Sequence, residues 1–355
     1  MSNNLDVVLP AEGLWRGTET QGIEDFTINL DPSVASTLEQ AAIHLASKEG
    51  EVTDATQHDL PLDELEETIE KVRNEILNGT GMVLLKGFPV DRLSSREIAF
   101  FFWGIGLGLG TAVSQSVMGE KLGHVIDTTD IDPHARAYRN RTELTPHTDP
   151  SDILAFLCIY PGATGGISHF VSSLTIYEEI SKNNPEVLKI LQRGFHYHRF
   201  GEQEPDCPDI TPWRIPVFSV NQGKLSCRYV KEFIEIAADE NPQAVLSTEE
   251  KEALEIFETT AQREDLRVTF TLQPGELILA NNYTVLHART AFTNHPERKR
   301  ELLRLWLTSK PTRLVVKEIF IYERAYNGGE HGIVPQPGQK PSFASRFDQR
   351  NSLDK

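Results

Sequence analysis

The chain has 355 residues, of which 39% are hydrophobic and 25% are charged, and this composition is ordinary for a folded globular protein. Its 52 acidic and 35 basic residues give a formal net charge of −17, which argues against nucleic acid and an anionic membrane surface as general partners. Three cysteines without a C-x-x-C spacing, no signal-peptide pattern and no membrane-spanning apolar run favour a cytoplasmic protein.

Helical patterns dominate the first part of the chain. A first helix is expected around SVASTLEQAAIHLASKEG, and a clearer one over residues 62–78 has one apolar face formed by Leu65, Ile69, Val72 and Ile76. Capping-box patterns predict three further helix starts, at Ser94/Glu97, Thr175/Glu178 and Ser247/Glu250. Asn184-Pro185 predicts another start, and Gly194 ends that helix.

The strand patterns gather between residues 150 and 322. They are ILAFLCIY, FHYHRF, PVFSV, KLSCRYV, RVTFTL, LILANN, ELLRLWL and LVVKEIFIY, with a further buried strand earlier in GMVLLKGF. Because helices and strands are segregated, we expect a mainly β, α+β fold in which peripheral helices cover a double-stranded β-helix core of the jelly-roll or cupin kind. We predict one domain over residues 1–355. It has a helical part at about 1–110, a β core at about 145–322 and an irregular C-terminal tail.

A histidine and an aspartate separated by one residue, His147 and Asp149, lie just before the apolar run ILAFLCIY. Residues i and i+2 of an extended chain point the same way, so both side chains can reach one ion while Thr148 points away. His287, near the end of a later strand, is a third candidate ligand. Two histidines and one carboxylate can form the metal site of non-haem iron oxygenases. Because a His-x-Asp pair is common, this pair alone leaves a turn-capping role open.

Two arginines stand on one face of the predicted strand in RKRELLRLWLTSK. Arg300, Leu302, Arg304 and Trp306 share this face, while the opposite face is largely apolar and should pack into the core. Buried arginines are costly without a partner, and an anionic ligand inside a barrel would supply one through a forked, bidentate contact. Pairing with acidic residues on an exposed edge is the alternative.

Four motifs follow one another along the chain: HTD at 147–149, GGISHFVSS at 165–173, NNYTVLHARTAF at 281–292 and RKRELLRLWL at 298–307. In their order and approximate spacing they resemble the TauD/TfdA family of iron(II)/2-oxoglutarate-dependent dioxygenases, within the clavaminate-synthase-like group. The resemblance runs from about Leu84 to Leu307. It implies an oxidoreductase that uses Fe(II), 2-oxoglutarate and O₂ and releases succinate and CO₂.

The resemblance also implies roles for particular residues. His147, Asp149 and His287 would bind the iron and form the catalytic centre. Arg300 would hold the distal carboxylate of 2-oxoglutarate. Ser168 would assist it where the family often has threonine, so serine is a mild departure. An intact Asp149 favours hydroxylation, desaturation or a related C–H oxidation, since related halogenases replace this carboxylate with a small residue to make room for halide.

Substrate contacts are harder to predict. Arg304 matches a position that often faces the substrate, which implies an anionic group on it. Further candidates are Gln115, Tyr138, Asn282 and Trp306, although each is equally well explained as a core or loop residue.

The expected partner is a small molecule that is amino-acid-like, carboxylate-bearing or an intermediate of secondary metabolism, and a homo-oligomer is compatible with the sequence. Two other functions would use the same barrel. A zinc-dependent hydrolase could employ the His/Asp/His site but leaves Arg300 unexplained, and a catalytically silent binding protein would not need the complete triad.

Overall fold

Two β-sheets carry the fold, and helices cover their outer faces. The computed structural model describes residues 7–129 and 140–336. The helices are α1 (Pro32–Ala46), α2 (Leu62–Leu77), α3 (Ser95–Leu109), α4 (Ser173–Asn183), α5 (Pro185–Arg193), α6 (Lys231–Glu240), α7 (Thr248–Ala261) and α8 (Glu323–Tyr326). The strands are β1 (Thr27–Asn29), β2 (Met82–Lys86), β3 (Gly110–Ala112), β4 (Leu122–Ile126), β5 (Leu144–His147), β6 (Ile153–Tyr160), β7 (Thr164–Gly165), β8 (Ser168–Ser172), β9 (Phe218–Asn221), β10 (Lys224–Cys227), β11 (Arg267–Phe270), β12 (Leu277–Asn281), β13 (Val285–Arg289), β14 (Phe292–Thr293) and β15 (Glu301–Ser309). The fold is therefore mixed α+β.

The larger sheet has seven strands in the order β1-β2-β12-β6-β15-β3, and β4 also pairs with β15. Only the β1–β2 pair is parallel among these strands. Helices α1, α2 and α3 pack on its outer face and form the largest apolar cluster with it. The predicted stripe of α2 lies in this cluster, and Ser94 and Glu97 make the predicted capping box of α3.

Strand β15 shows the alternation that its sequence predicts. Leu303, Leu305 and Leu307 point into the apolar cluster with the helices. On the other face, Arg304 and Trp306 line a cavity between the sheets. The arginines of this segment are thus turned inward, and the alternative of an exposed edge is wrong.

The smaller sheet has four antiparallel strands in the order β11-β8-β13-β5. Its inner face meets the larger sheet in a cluster that includes Phe170, Phe270 and Val285. Its outer face packs against α4, α5 and α7. Two further two-stranded antiparallel sheets complete the described strands: the hairpin β9–β10 and the long-range pair β7–β14. In the described part of the chain, no helix has the length and apolar character that crossing a bilayer requires.

Three expectations about local structure were wrong. Helix α4 begins three residues early, because β8 turns directly into it and Ser172, not Thr175, caps its first turn. The segment FHYHRF makes only isolated bridges. The segment LVVKEIFIY contains a 3-10 turn at Lys317–Ile319 and no strand. Ile321 and Tyr322 of this segment are buried in the apolar cluster on the outer face of the smaller sheet, without a partner strand, whereas Leu314 is exposed.

Candidate active site

The three predicted metal ligands come together on the inner face of the smaller sheet. His147 ends β5, His287 lies in the middle of β13, and the two residues are directly opposite in the strand register. Asp149 follows two residues after His147. One potential ligand atom from each side chain lies within 4.8 Å of the others. The imidazole centroids are 4.2 Å apart, and His147 Nε2 is 3.9 Å from Asp149 Oδ1.

The loop that carries Asp149 is fixed through its backbone. The N–H of Asp149 donates to Asn282 Oδ1 at 3.0 Å, and its carbonyl accepts a hydrogen bond from Arg228. The N–H of Thr148 donates to the carbonyl of Tyr229 at 2.9 Å. Asn282 and Arg228 are almost completely buried, so water cannot readily replace the hydrogen bonds by which they hold the loop.

The electrostatics of the triad suit a cation. Burial, together with the neighbouring His147, lowers the pKa of His287 to about 3, so its imidazole is neutral at physiological pH. Burial alone would raise the pKa of Asp149, but the surrounding imidazoles, the Arg304 guanidinium and the Trp306 N–H together hold it below its usual value.

The donor set also passes a chemical test for a metal. Among the described residues, His287 Nδ1 is buried without a hydrogen-bond partner, which leaves imidazole capacity for a ligand. Neutral imidazole nitrogens with one carboxylate oxygen form a donor set that divalent iron accepts. The residues present therefore fit a ferrous ion.

A cavity of about 570 Å³ opens beside the triad, between the two sheets. One of its ends contains Arg300, which is 4% exposed. Burial lowers the pKa of Arg300 to about 10, so the guanidinium stays charged at neutral pH. Among the described residues, its Nη1 has no hydrogen-bond partner. Ser168 lines the same cavity from β8. The two predicted cosubstrate residues thus share one pocket.

A second arginine at this end, Arg289, was missed in the sequence. It is buried, and its Nη2 donates to the carbonyls of Asn140 and Thr142. The guanidinium carbons of Arg289 and Arg300 lie 4.8 and 5.0 Å from the centroid of the same Phe292 ring. Burial and the neighbouring Arg300 charge lower the pKa of Arg289 to about 10. Its spacing from His287, two residues along one strand, is the signal that could have revealed it.

Three of the predicted substrate residues surround Asp149 at another part of the cavity. Arg304 and Gln115 are hydrogen-bonded to one another, and Gln115 Nε2 also donates to the carbonyl of Arg304. Arg304 Nη1 is 3.9 Å from Asp149 Oδ2. Trp306 donates its indole N–H to the same oxygen at 2.7 Å. All three side chains line the cavity.

The other two predicted substrate residues are not found there. Asn282 is fully buried beneath the Asp149 loop, where its Nδ2 donates to Ser151 Oγ at 2.9 Å. Tyr138 lies outside the described residues. The rest of the cavity wall includes side chains that no sequence motif predicted. They are Phe200 and Glu202 in a loop, Lys231 and Phe233 at the start of α6, and Tyr322.

Comparison with known proteins identifies the family. Residues 47–306 match the family described as "Taurine catabolism dioxygenase TauD, TfdA family". This chain belongs to the TauD/TfdA family. The prediction of an Fe(II)/2-oxoglutarate-dependent dioxygenase is thereby confirmed at the level of reaction class and cofactor.

Two relatives are similar to this chain over most of its length. FR-33289 synthase of Streptomyces rubellomurinus (strain ATCC 31215) is 28% identical over 305 residues, which cover 83% of this chain and 88% of that protein. The taurine hydroxylase-like protein SAT17 of Stachybotrys chartarum (strain CBS 109288 / IBT 7711) is 25% identical over 311 residues, which cover 83% of this chain and 78% of that protein.

Solved structures with the same fold include two oxygenases. Asparagine oxygenase in complex with Fe(II), hydroxyasparagine and succinate has a TM-score of 0.62 at 19% identity, covering 79% of this chain and 93% of that one. The non-heme iron oxygenase OrfP in complex with Fe and alpha-ketoglutaric acid has a TM-score of 0.60 at 14% identity, covering 81% of this chain and 99% of that one. At these identities the likeness establishes the fold.

Proposed function

We propose that this dioxygenase oxidises a C–H bond of a small anionic or amino-acid-like molecule, with His147, Asp149 and His287 as its iron ligands. The observation that carries the proposal is the convergence of these three side chains beside a cavity whose buried walls hold arginines. In the family's chemistry, ferrous iron with 2-oxoglutarate activates O₂ and yields succinate, CO₂ and an oxidised substrate.

The residues of this chain bind and orient the cosubstrate. Arg300 offers parallel N–H donors to the distal carboxylate of 2-oxoglutarate, and the Ser168 hydroxyl adds another donor. Arg289 contributes a second positive charge nearby. Because these groups are buried, water competes weakly with the carboxylate, and each charged hydrogen bond is stronger than it would be at the surface.

Arg304 is the residue that we assign to the substrate. It lies close to Asp149, and Gln115 holds its guanidinium, so its orientation is set before a ligand arrives. A guanidinium fixed in this way favours a carboxylate, sulfonate or phosphonate group. The names of the relatives, which include a natural-product synthase and a taurine hydroxylase-like protein, support a small substrate of this class.

The cavity volume agrees with one small substrate beside 2-oxoglutarate. About 570 Å³ falls within the usual range for small-molecule sites, roughly 300–1,000 Å³. Aromatic and aliphatic side chains, among them Phe156 and Phe170, form the wall between the charged groups. This wall excludes water from the reacting C–H bond. Since Asp149 is intact, we assign hydroxylation, desaturation or a related oxidation in preference to halogenation.

Two structural assignments belong with this proposal. The two facing sheets are interpreted as the double-stranded β-helix expected from the sequence, and the chain as a single domain. Support comes from the cavity, which is lined by strands of both sheets, and from the apolar cluster that joins their inner faces.

The test is anaerobic reconstitution followed by turnover. The purified protein with Fe(II) and 2-oxoglutarate should develop a visible charge-transfer absorption, and His147→Ala should abolish it. A panel of small carboxylates, sulfonates, phosphonates and amino acids should then reveal at least one compound that stimulates succinate release. Arg304→Met should raise the KM for that compound by roughly 100-fold while that for 2-oxoglutarate stays nearly constant, since a charge-assisted contact contributes up to about 3 kcal/mol. Activity with zinc and without O₂ would refute the proposal.

A further inference from the structure

Within the described part of the chain, the Trp306 side chain makes one polar contact, and its partner is a predicted metal ligand. Its indole N–H, the only polar group of the side chain, donates to Asp149 Oδ2 at 2.7 Å. Trp306 and Asp149 are 4% and 8% exposed, so solvent cannot readily replace either partner. A buried hydrogen bond to a charged acceptor is among the stronger ones in proteins. The contact therefore fixes the orientation of the carboxylate.

The two oxygens of Asp149 have different surroundings. Oδ2 receives the indole N–H and lies 3.9 Å from Arg304 Nη1. Oδ1 lies 3.9 Å from His147 Nε2, on the side of the imidazoles. The Arg304 guanidinium and the Trp306 N–H thus stabilise negative charge on Oδ2. The other oxygen, Oδ1, is turned toward the space between the two histidines. An unrestrained carboxylate would be free to rotate and present either or both oxygens.

The indole is itself held firmly. The Arg304 guanidinium lies 4.7 Å from the centroid of the Trp306 ring. The backbone carbonyl of Trp306 accepts a hydrogen bond from the N–H of Val113 at 2.9 Å. Trp306 also pairs with Leu154 in the centre of the larger sheet. The donor is therefore carried by a rigid strand of one sheet and reaches across to a ligand loop of the other.

From this geometry we infer that Trp306 is a positioning residue that occupies Oδ2 of Asp149 and reserves Oδ1, as a single oxygen, for the metal. The inference rests on the proposed metal site. Groups of this kind orient metal ligands, and their loss typically lowers metal affinity by about 10- to 100-fold. If Trp306 contacted the substrate instead, loss of its N–H would weaken substrate binding and leave metal affinity unchanged.

The experiment measures metal affinity without turnover. The protein is stripped with chelator and titrated with Mn(II) by calorimetry in the absence of 2-oxoglutarate. Trp306→Phe keeps an aromatic ring and removes the N–H, and we expect it to weaken Mn(II) binding by about 10- to 100-fold. Trp103→Phe is the matched control, because its indole N–H donates to the carbonyl of Ala55 outside the cavity. This control should bind Mn(II) like the wild type.

A second variant removes the risk that Phe fits the site badly. Site-specific replacement of Trp306 by benzothienylalanine keeps the bicyclic shape and exchanges N–H for sulfur, so only the hydrogen bond is lost. The same weakening is expected. A Kd within twofold of the wild-type value for this variant would overturn the inference even if Trp306→Phe failed to fold. Failure of the wild-type protein to bind Mn(II) would instead overturn the proposed metal site.

Discussion

Gly166 allows a sharp test of the cosubstrate site. It has a φ of +68°, in the left-handed region, and a Cβ added there would lie 3.0 Å from Arg300 Nε and 3.5 Å from Arg300 Cδ. Alanine at this position therefore has two effects: it strains the backbone, and it pushes the arginine that we assign to the distal carboxylate of 2-oxoglutarate. The side chain of Arg300 must yield by a few tenths of an ångström.

Each effect has an expected size. A non-glycine residue in the left-handed conformation costs roughly 1–2 kcal/mol, which should appear as lost stability. A charge-assisted hydrogen bond contributes about 1.5–3 kcal/mol, and a displacement of this size should remove part of one, about 1 kcal/mol. Gly166→Ala should then raise the KM for 2-oxoglutarate about fivefold.

Gly22 provides the matched control. Its φ is +77°, and no heavy atom lies within 4 Å of the position that a Cβ would take. Gly22→Ala should lose similar stability in urea unfolding and keep the wild-type KM for 2-oxoglutarate in a succinate-release assay. If Gly166→Ala shows the same KM as Gly22→Ala, Arg300 does not hold the cosubstrate in the way proposed.

Three further changes test other parts of the structure. Arg289→Met should raise the KM for 2-oxoglutarate about 3- to 10-fold in the same assay, because one of two neighbouring charges is lost; an unchanged KM would exclude it from the cosubstrate site. Phe257→Ala, at a fully buried ring packed on Phe218 and Tyr229, should lower the free energy of unfolding by about 3–5 kcal/mol, and a loss below about 1 kcal/mol would contradict this packing. Tyr283→Phe removes the buried hydroxyl that donates to the Asp152 carboxylate, and it should lower the free energy of unfolding in urea by about 1–3 kcal/mol. An unchanged free energy of unfolding would show that this hydrogen bond contributes little.

The parts of the fold that the sequence predicted well are those with a strong periodic pattern. The stripe of α2 has a period of 3.6 residues and ends at an Asn-Gly pair, so both its existence and its end are determined locally. Strand β15 alternates between arginine or tryptophan on one face and leucine on the other. Because the two faces differ so much in polarity, the side that faces the cavity could be predicted.

Segments with apolar residues but no partner strand were misjudged. In LVVKEIFIY the buried Ile319 and Ile321 alternate as in a strand, yet the segment forms no β ladder, and Ile321 packs in an apolar side-chain cluster. The cap of α4 was misplaced for a related reason. Thr175 and Glu178 have the spacing of a capping box, but the Thr175 hydroxyl donates to the carbonyl of Trp15, a contact from a distant part of the chain. Long-range pairing of this kind leaves no local signal.

In the site, too, local motifs could be predicted from the sequence and long-range contacts could not. The triad and Arg300 could be predicted because they belong to motifs with a fixed order, and the structure brings them into one cavity. The contact of Trp306 could not, because its partner Asp149 lies in the loop after β5 of the smaller sheet, and the contact depends on how the two sheets face each other. Glu202 and Tyr322, whose side chains are hydrogen-bonded at 2.9 Å across the cavity wall, likewise come from unrelated segments.

The charges around the cavity restrict the substrate further. Among the buried charged side chains that line it in the described chain, Arg289, Arg300 and Arg304 are positive, and Asp149 and Glu202 are negative. The charges of a ferrous ion and a 2-oxoglutarate dianion would cancel, so binding both would leave this count over the described side chains unchanged. We propose that a negatively charged group on the substrate is favoured here, because a buried guanidinium binds an anionic group strongly. The net negative charge of the whole chain does not contradict this proposal, because buried charges interact through a lower dielectric than screened surface charges do.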